Sequence, residues 1–199
     1  MIDKIILNNQ VVDFDESILP CLINYEEKSG GSHYSVTLVA NLFKQGFKIL
    51  FFTAYPMAKE NFIEQVGLDE TKLAFVLNQQ DLSVNSNKQC LILESGNQEL
   101  LDFTLNNLPD IEERIILIKN IEKFEDKIIS QVLAFDRIIL SGHLDECSLK
   151  ENIVQKEYNN IVLFNNPKVK LSVTAPDLEK YNAYFWTENE QGIVKILKS

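Results

Sequence analysis

Cys21-Leu22-Ile23-Asn24-Tyr25-Glu26-Glu27-Lys28-Ser29-Gly30-Gly31-Ser32 is the stretch that decides how this chain folds. An apolar run, 19–24, ends in a polar segment, 28–32, that carries two adjacent glycines. Directly afterwards Tyr34, Leu38, Val39, Leu42 and Phe43 recur at helical spacing until Gly46 stops them. Strand, tight turn and helix in that order form the repeating unit of a parallel α/β sheet.

The same unit recurs outward along the chain. Residues 48–53 read as a strand rich in Ile and Phe, and after Pro56 residues 58–66 read as a helix closed by Gly67. Residues 73–77 and 90–93 are strand candidates, with a polar exposed loop or short helix, 78–89, between them. Helical patterns at 99–108, 126–135 and 149–158 alternate with apolar runs at 114–118, 137–140 and 161–164. The tail differs: 183–187, a polar turn with Gly192, and 193–197 read as a hairpin. The predicted fold class is therefore α/β, a mostly parallel central sheet with helices on both faces and a C-terminal antiparallel hairpin at one edge. No internal repeat, low-complexity tract or Pro/Gly/Ser-rich linker interrupts it, so 1–199 is expected to form one domain.

Bulk composition excludes several function classes. The formal net charge is -10, which repels nucleic-acid phosphates and anionic membranes, and no basic run offsets it. Direct nucleic-acid binding is not expected. No apolar run is long enough to cross a bilayer, and Met1-Ile2-Asp3-Lys4 lacks a signal-peptide layout. Cys21, Cys90 and Cys147 are an odd, widely spaced set, not a disulfide framework, so the expected location is the reducing cytoplasm.

A phosphate-binding loop after such a strand needs glycines that turn backbone N–H groups toward one anion, a Lys for the β/γ-phosphates and a Ser/Thr hydroxyl for Mg²⁺. A helix must follow at once, because its N-terminus adds donors and a favourable dipole. Placed on G-x-x-x-x-G-K-[ST], Tyr25 takes the first Gly, Gly30 the second, Gly31 the Lys and Ser32 the hydroxyl position. A second register, with His33, Tyr34 and Ser35 on the last three positions, gives a shorter helix. In both the lysine is missing, and Lys28 inside the loop is the only nearby replacement. The plain alternative is a Gly-containing turn with Ser32 as the helix N-cap.

Over residues 19–67 the chain resembles the RecA/KaiC-like branch of the P-loop ATPases. The resemblance is carried by the loop and by Gly46-Phe47-Lys48-Ile49-Leu50-Phe51-Phe52-Thr53-Ala54-Tyr55-Pro56, which follows the family's second strand and turn. It extends through Arg114-Ile115-Ile116-Leu117-Ile118, Arg137-Ile138-Ile139-Leu140-Ser141-Gly142-His143 and the tail hairpin. It implies a degenerate ATP site. Tyr55 and Pro56 stand where the family has its catalytic Glu pair, and Lys119 stands where the Walker B Asp would hold Mg²⁺. The family's chemistry needs these groups together, so catalytic residues do not carry over and turnover of ATP is not expected.

Other candidates are weaker. His143 and Cys147, four apart, could share a helix face as zinc ligands, but no further Cys/His pair accompanies them, and no metal site is assigned. His33 reads as part of a first helical turn, and Phe51, Phe52 and Trp186 read as packing. The expected function is a non-catalytic scaffold or regulatory domain that acts through a protein partner or another copy of itself, with no cofactor. Tyr34 and Tyr55 are the expected interface residues. The alternative is an ATP/Mg²⁺-binding protein or weak ATPase that uses a rearranged loop, Lys28, Ser29, Gly30, Gly31 and Ser32.

Overall fold

The structure, a computed structural model, describes residues 3–94 and 96–197. Among these residues eleven strands form one sheet. In chain order they are β1 (Lys4–Leu7), β2 (Gln10–Val12), β3 (Cys21–Asn24), β4 (Ile49–Thr53), β5 (Leu73–Phe75), β6 (Cys90–Glu94), β7 (Ile115–Lys119), β8 (Ile138–Gly142), β9 (Asn160–Leu163), β10 (Ala183–Thr187) and β11 (Gln191–Leu197). Their order across the sheet is β2-β1-β11-β10-β9-β3-β8-β7-β4-β6-β5. The run from β9 to β5 is parallel throughout, and β10, β11, β1 and β2 continue it antiparallel.

Each central strand is buried along its whole length, which is why it reads as an unbroken apolar run and not as an alternation. Successive side chains still go to opposite faces. Ile49 and Phe51 pack with helices α1 (Gly31–Lys44) and α2 (Pro56–Val66), where the Phe62 ring stands edge-on to Phe51 at 5.6 Å. Leu50 and Phe52 face the opposite layer with α3 (Gln79–Asn85), α4 (Gln98–Asn107), α5 (Asp126–Val132) and α6 (Lys150–Gln155). Gly46 closes α1 at φ +98, a conformation that costs glycine nothing.

The predicted sheet, helix layers and tail hairpin are present, with several corrections. The tail hairpin does not end the sheet, because β11 also pairs with β1, and β2 forms the edge beyond it. That N-terminal hairpin was not expected, since its strands are only four and three residues long. Its signal is Asn8-Asn9, both at positive φ, the residue type that tolerates a two-residue turn between right-twisted strands. The pattern over 149–158 yields only the short α6, and α5 stops at Val132. No helix among the described residues is long and apolar enough to cross a membrane.

Candidate functional site

A cleft of about 850 Å³ opens where the C-terminal ends of β3, β8, β7 and β4 meet. In a parallel sheet this end collects the loops that can carry chemistry. Buried Asn24, the last residue of β3, ties the neighbouring loops down. Its Oδ1 accepts from the Leu144 N–H (3.0 Å) and its Nδ2 donates to the Asn165 carbonyl (3.0 Å). Tyr25 follows, its N–H donating to the Gly142 carbonyl at 3.1 Å.

The loop then turns over Glu26 to Ser29, with Lys28 exposed and left-handed at φ +61. The Ser29 hydroxyl donates to the Glu26 carbonyl at 2.8 Å and accepts from the Gly31 N–H at 3.5 Å. Gly30, at φ +100, is the N-cap of α1, so the helix starts at Gly31 and the sequence alternative of Ser32 as N-cap is not realised. That start agrees with the register that places Gly31 at the lysine position. Lys28, Ser29, Gly30, Gly31 and Ser32 thus join a strand's C-terminal end to a helix N-terminus; Lys28, Gly30 and Ser32 line the cleft.

Tyr25 fills the loop from within. A Cβ on Gly31 would lie 2.3 Å from Tyr25 Cβ and Cγ, so the tyrosine stands directly against the helix start. From there its ring reaches Lys119, the last residue of β7. The Lys119 ammonium lies 4.6 Å from the ring centroid, bonds the Tyr25 hydroxyl and donates to Asn120 Oδ1 at 3.1 Å. Asn120 Nδ2 also reaches that hydroxyl, at 3.3 Å. Lys119 is fully buried, and burial lowers its pKa from 10.5 to about 7. Burial pushes the Tyr25 phenol well above its ordinary value. At pH 7 the amine is therefore about half protonated, and the cluster is a hydrogen-bonded unit under the loop that loses its charge as the pH rises.

Gly31→Ala is expected to destabilise the protein by about 1–3 kcal/mol, because the crowding atoms are Tyr25 Cβ and Cγ, which cannot swing away. Tyr25→Gly in the same chain, which removes both crowding atoms, should recover most of that loss. Thermal unfolding of the two single variants and the double variant measures the coupling, and additive losses would disprove the contact's role.

Glu122 comes from the turn after β7 and accepts the His143 N–H at 3.0 Å. This approach requires Gly142, whose Cβ would lie 2.4 Å from Glu122 Oε2. His143 Nδ1 pairs with Glu146 Oε1 at 3.0 Å, and His33 Nε2 pairs with Asp3 Oδ2 at 2.7 Å. His143 and Cys147 flank a 3-10 turn and do not share a helix face, and the Cys147 thiol is buried. Among the described residues no group of three or more His, Cys, Asp or Glu side chains is arranged to hold a metal ion.

Of the two expected interface residues, Tyr34 is corrected by the structure. It is fully buried, edge-on to Phe164 at 5.9 Å, and offers no surface to a partner. Its place in α1 points it under the loop, whereas Tyr55, just ahead of α2, is 45% exposed and lines the cleft. Sequence reasoning missed Tyr181, also at the cleft and 57% exposed, because nothing local marks it within the irregular stretch between β9 and β10. It missed the role of Tyr25 as well, although a bulky residue in place of the loop's first glycine was a readable signal.

No protein-family model matches the chain, and no curated protein matches it. Solved structures do. The genome packaging NTPase B204 from Sulfolobus turreted icosahedral virus 2, in complex with AMPPCP, is 14% identical, with 92% of this chain and 98% of that chain covered at a TM-score of 0.58. A protein known simply as an ATPase is 8% identical over 100% of this chain and 87% of its own, at a TM-score of 0.64. EssC (ATPases 2 and 3) from Geobacillus thermodenitrificans is 11% identical, with 99% of this chain but 41% of that chain covered, at a TM-score of 0.53. At such identities the likeness concerns architecture and not activity, and by that architecture the chain has the fold of the P-loop ATPases.

Proposed function

We propose that this chain is a P-loop fold that does not turn over nucleotide and serves as a scaffold or regulatory subunit through contacts with other proteins. The observation that carries this reading is the position of Tyr25. Its side chain runs from the loop's first position, against Gly31, to Lys119. It thereby spans the positions of the phosphate loop's lysine and of the metal-holding Asp, both of which are missing from the sequence. The residues present are a poor match to Mg-ATP: a phenol is packed against the helix start, and a buried amine stands at the sequence position of the metal-holding carboxylate. Losing several parts of a phosphoryl-transfer site at once removes its rate enhancement. Exposed Tyr55 at the cleft mouth is the kind of aromatic anchor that protein interfaces favour.

Titration calorimetry with Mg-ATP tests the reading. The expected result is no saturable heat up to about millimolar nucleotide, together with no phosphate release. Submillimolar binding with hydrolysis that Lys28→Ala abolishes would establish the alternative, a rearranged-loop ATPase. The exposed, left-handed Lys28 at the cleft is the feature that favours that alternative.

A further inference from the structure

We propose that the cleft docks a basic segment of a partner protein whose arginine side chains meet the carboxylates of Glu26, Glu27 and Glu146 and the ring of Tyr55 along its wall. This rests on the protein-binding reading above and names the chemistry of the partner.

Four carboxylates line the cleft, Glu26, Glu27, Glu122 and Glu146, against two lysines, Lys28 and Lys123. Glu122 is engaged at both oxygens, by the His143 N–H and by Asn120. Among the described residues Glu26 and Glu146 each spend one oxygen on a neighbour, Asn165 and His143 respectively, and both side chains are exposed. Glu27 is exposed as well. Two tyrosine rings stand at the same opening. Tyr181 already takes Lys180 over its ring at 4.8 Å, so that ring accepts a cation where it stands. Tyr55 is about half exposed, and no cation–π partner covers it among the described residues.

An exposed aromatic face and carboxylates with free oxygens in one cleft suit guanidinium groups. A guanidinium plane stacks on an aromatic ring, and its fork of donors meets carboxylates. An anion would meet the same carboxylates without the inner cation, since Lys119 is sealed behind Tyr25. A second copy of the chain is disfavoured by its own net charge of -10, and that charge favours a basic partner and speeds its approach. A cleft of about 850 Å³ admits several side chains, enough for a short segment and not merely one residue.

The test is an amide-shift NMR titration of the full chain with an acetylated, amidated tri-arginine peptide, at about 50 mM salt so that screening stays modest. The expected result is saturable binding with the largest shifts at Gly30, Tyr55 and Tyr181. Glu26→Gln/Glu27→Gln/Glu146→Gln should weaken it by about tenfold or more, and Tyr55→Ala by roughly threefold or more. A control neutralises three exposed acids at the opposite, N-terminal ends of the strands, Glu112→Gln/Asp136→Asn/Glu157→Gln, and should bind as the unmodified chain does. Equal weakening by both triple variants, shifts centred elsewhere, or no binding would overturn the proposal. A parallel titration with Mg-ATP separates the two readings. Saturable shifts at the cleft with nucleotide, together with phosphate release, defeat the proposed function itself, whereas silence toward both ligands defeats only the basic partner.

Discussion

Lys119→Met is expected to make the protein more stable at neutral pH, although it removes three hydrogen-bond donors from the core. The lysine is fully buried, and burial lowers its pKa from 10.5 to about 7. An unfolded chain keeps this proton until about pH 10.5, whereas the folded chain releases it near pH 7. Between those values the unfolded state binds more protons, so stability rises with pH across the window and is lowest below pH 7. At about 1.4 kcal/mol per tenfold in the proton equilibrium, the burden of the ammonium is on the order of 3–5 kcal/mol. Methionine fills a similar volume without a charge. The Tyr25 hydroxyl keeps Asn120 Nδ2 as a partner, whereas Asn120 Oδ1 loses the Lys119 donor, which offsets about 1–3 kcal/mol of the gain.

Urea unfolding between pH 7 and 8.5 checks both halves of this. The parent chain should gain about 1–2 kcal/mol over that range and Lys119→Met should gain none of it, starting from a higher midpoint. The window stops below pH 9 because burial raises the pKa of the Cys21, Cys90 and Cys147 thiols, and their ionisation in the unfolded chain then pulls stability the other way. Parallel pH profiles in the two proteins would show that Lys119 is not the titrating group.

Arg114→Ala should have the opposite effect and an equally large one. Arg114 sits just before β7 and is fully buried. Its guanidinium makes a two-pronged pair with Asp110, at 2.9 and 3.0 Å, and donates to the carbonyls of Ser86 (2.7 Å) and Lys88 (3.0 Å). Longer bonds reach the Ile49 and Gln89 carbonyls. One side chain thus ties together the starts of three parallel strands, β4, β6 and β7. Truncation leaves the Asp110 carboxylate with Lys48 alone and strips the Ser86 and Lys88 carbonyls of this donor, and should cost about 3–5 kcal/mol, a large share of a typical total of about 5–15 kcal/mol. Arg114→Lys should recover little, because a single ammonium cannot reproduce the fork. A denaturation midpoint within about 1 kcal/mol of the parent would refute the account.

Much of the architecture was legible before any coordinates. The β-branched run 114–118 and the Phe-rich run 48–53 read as buried strands because a parallel sheet covered on both faces demands uninterrupted apolar side chains. Gly46 and Gly67 marked helix ends because their positive φ is unfavourable for other residues. The strand-turn-helix around Gly30 and Gly31 was readable for the same reason: chain direction changes there within a few residues, and the determinants are local.

What the sequence by itself determined was the order of elements from β3 onward, the fold class and the absence of a lysine at the loop's Gly31 position. What only the tertiary structure decided was which distant residues meet. Tyr25 and Lys119 are 94 positions apart, and neither one's local pattern says that the phenol closes the loop over the amine. Tyr34 has the spacing of a helix face but not a sign of which face, and the layer packed over α1 buried it. β1 and β2 are too short to be stable alone and exist because β11 offers them an edge. Secondary structure follows from a residue and its near neighbours. Burial, pairing and a shifted proton affinity follow from contacts that the chain makes only after it has folded back on itself.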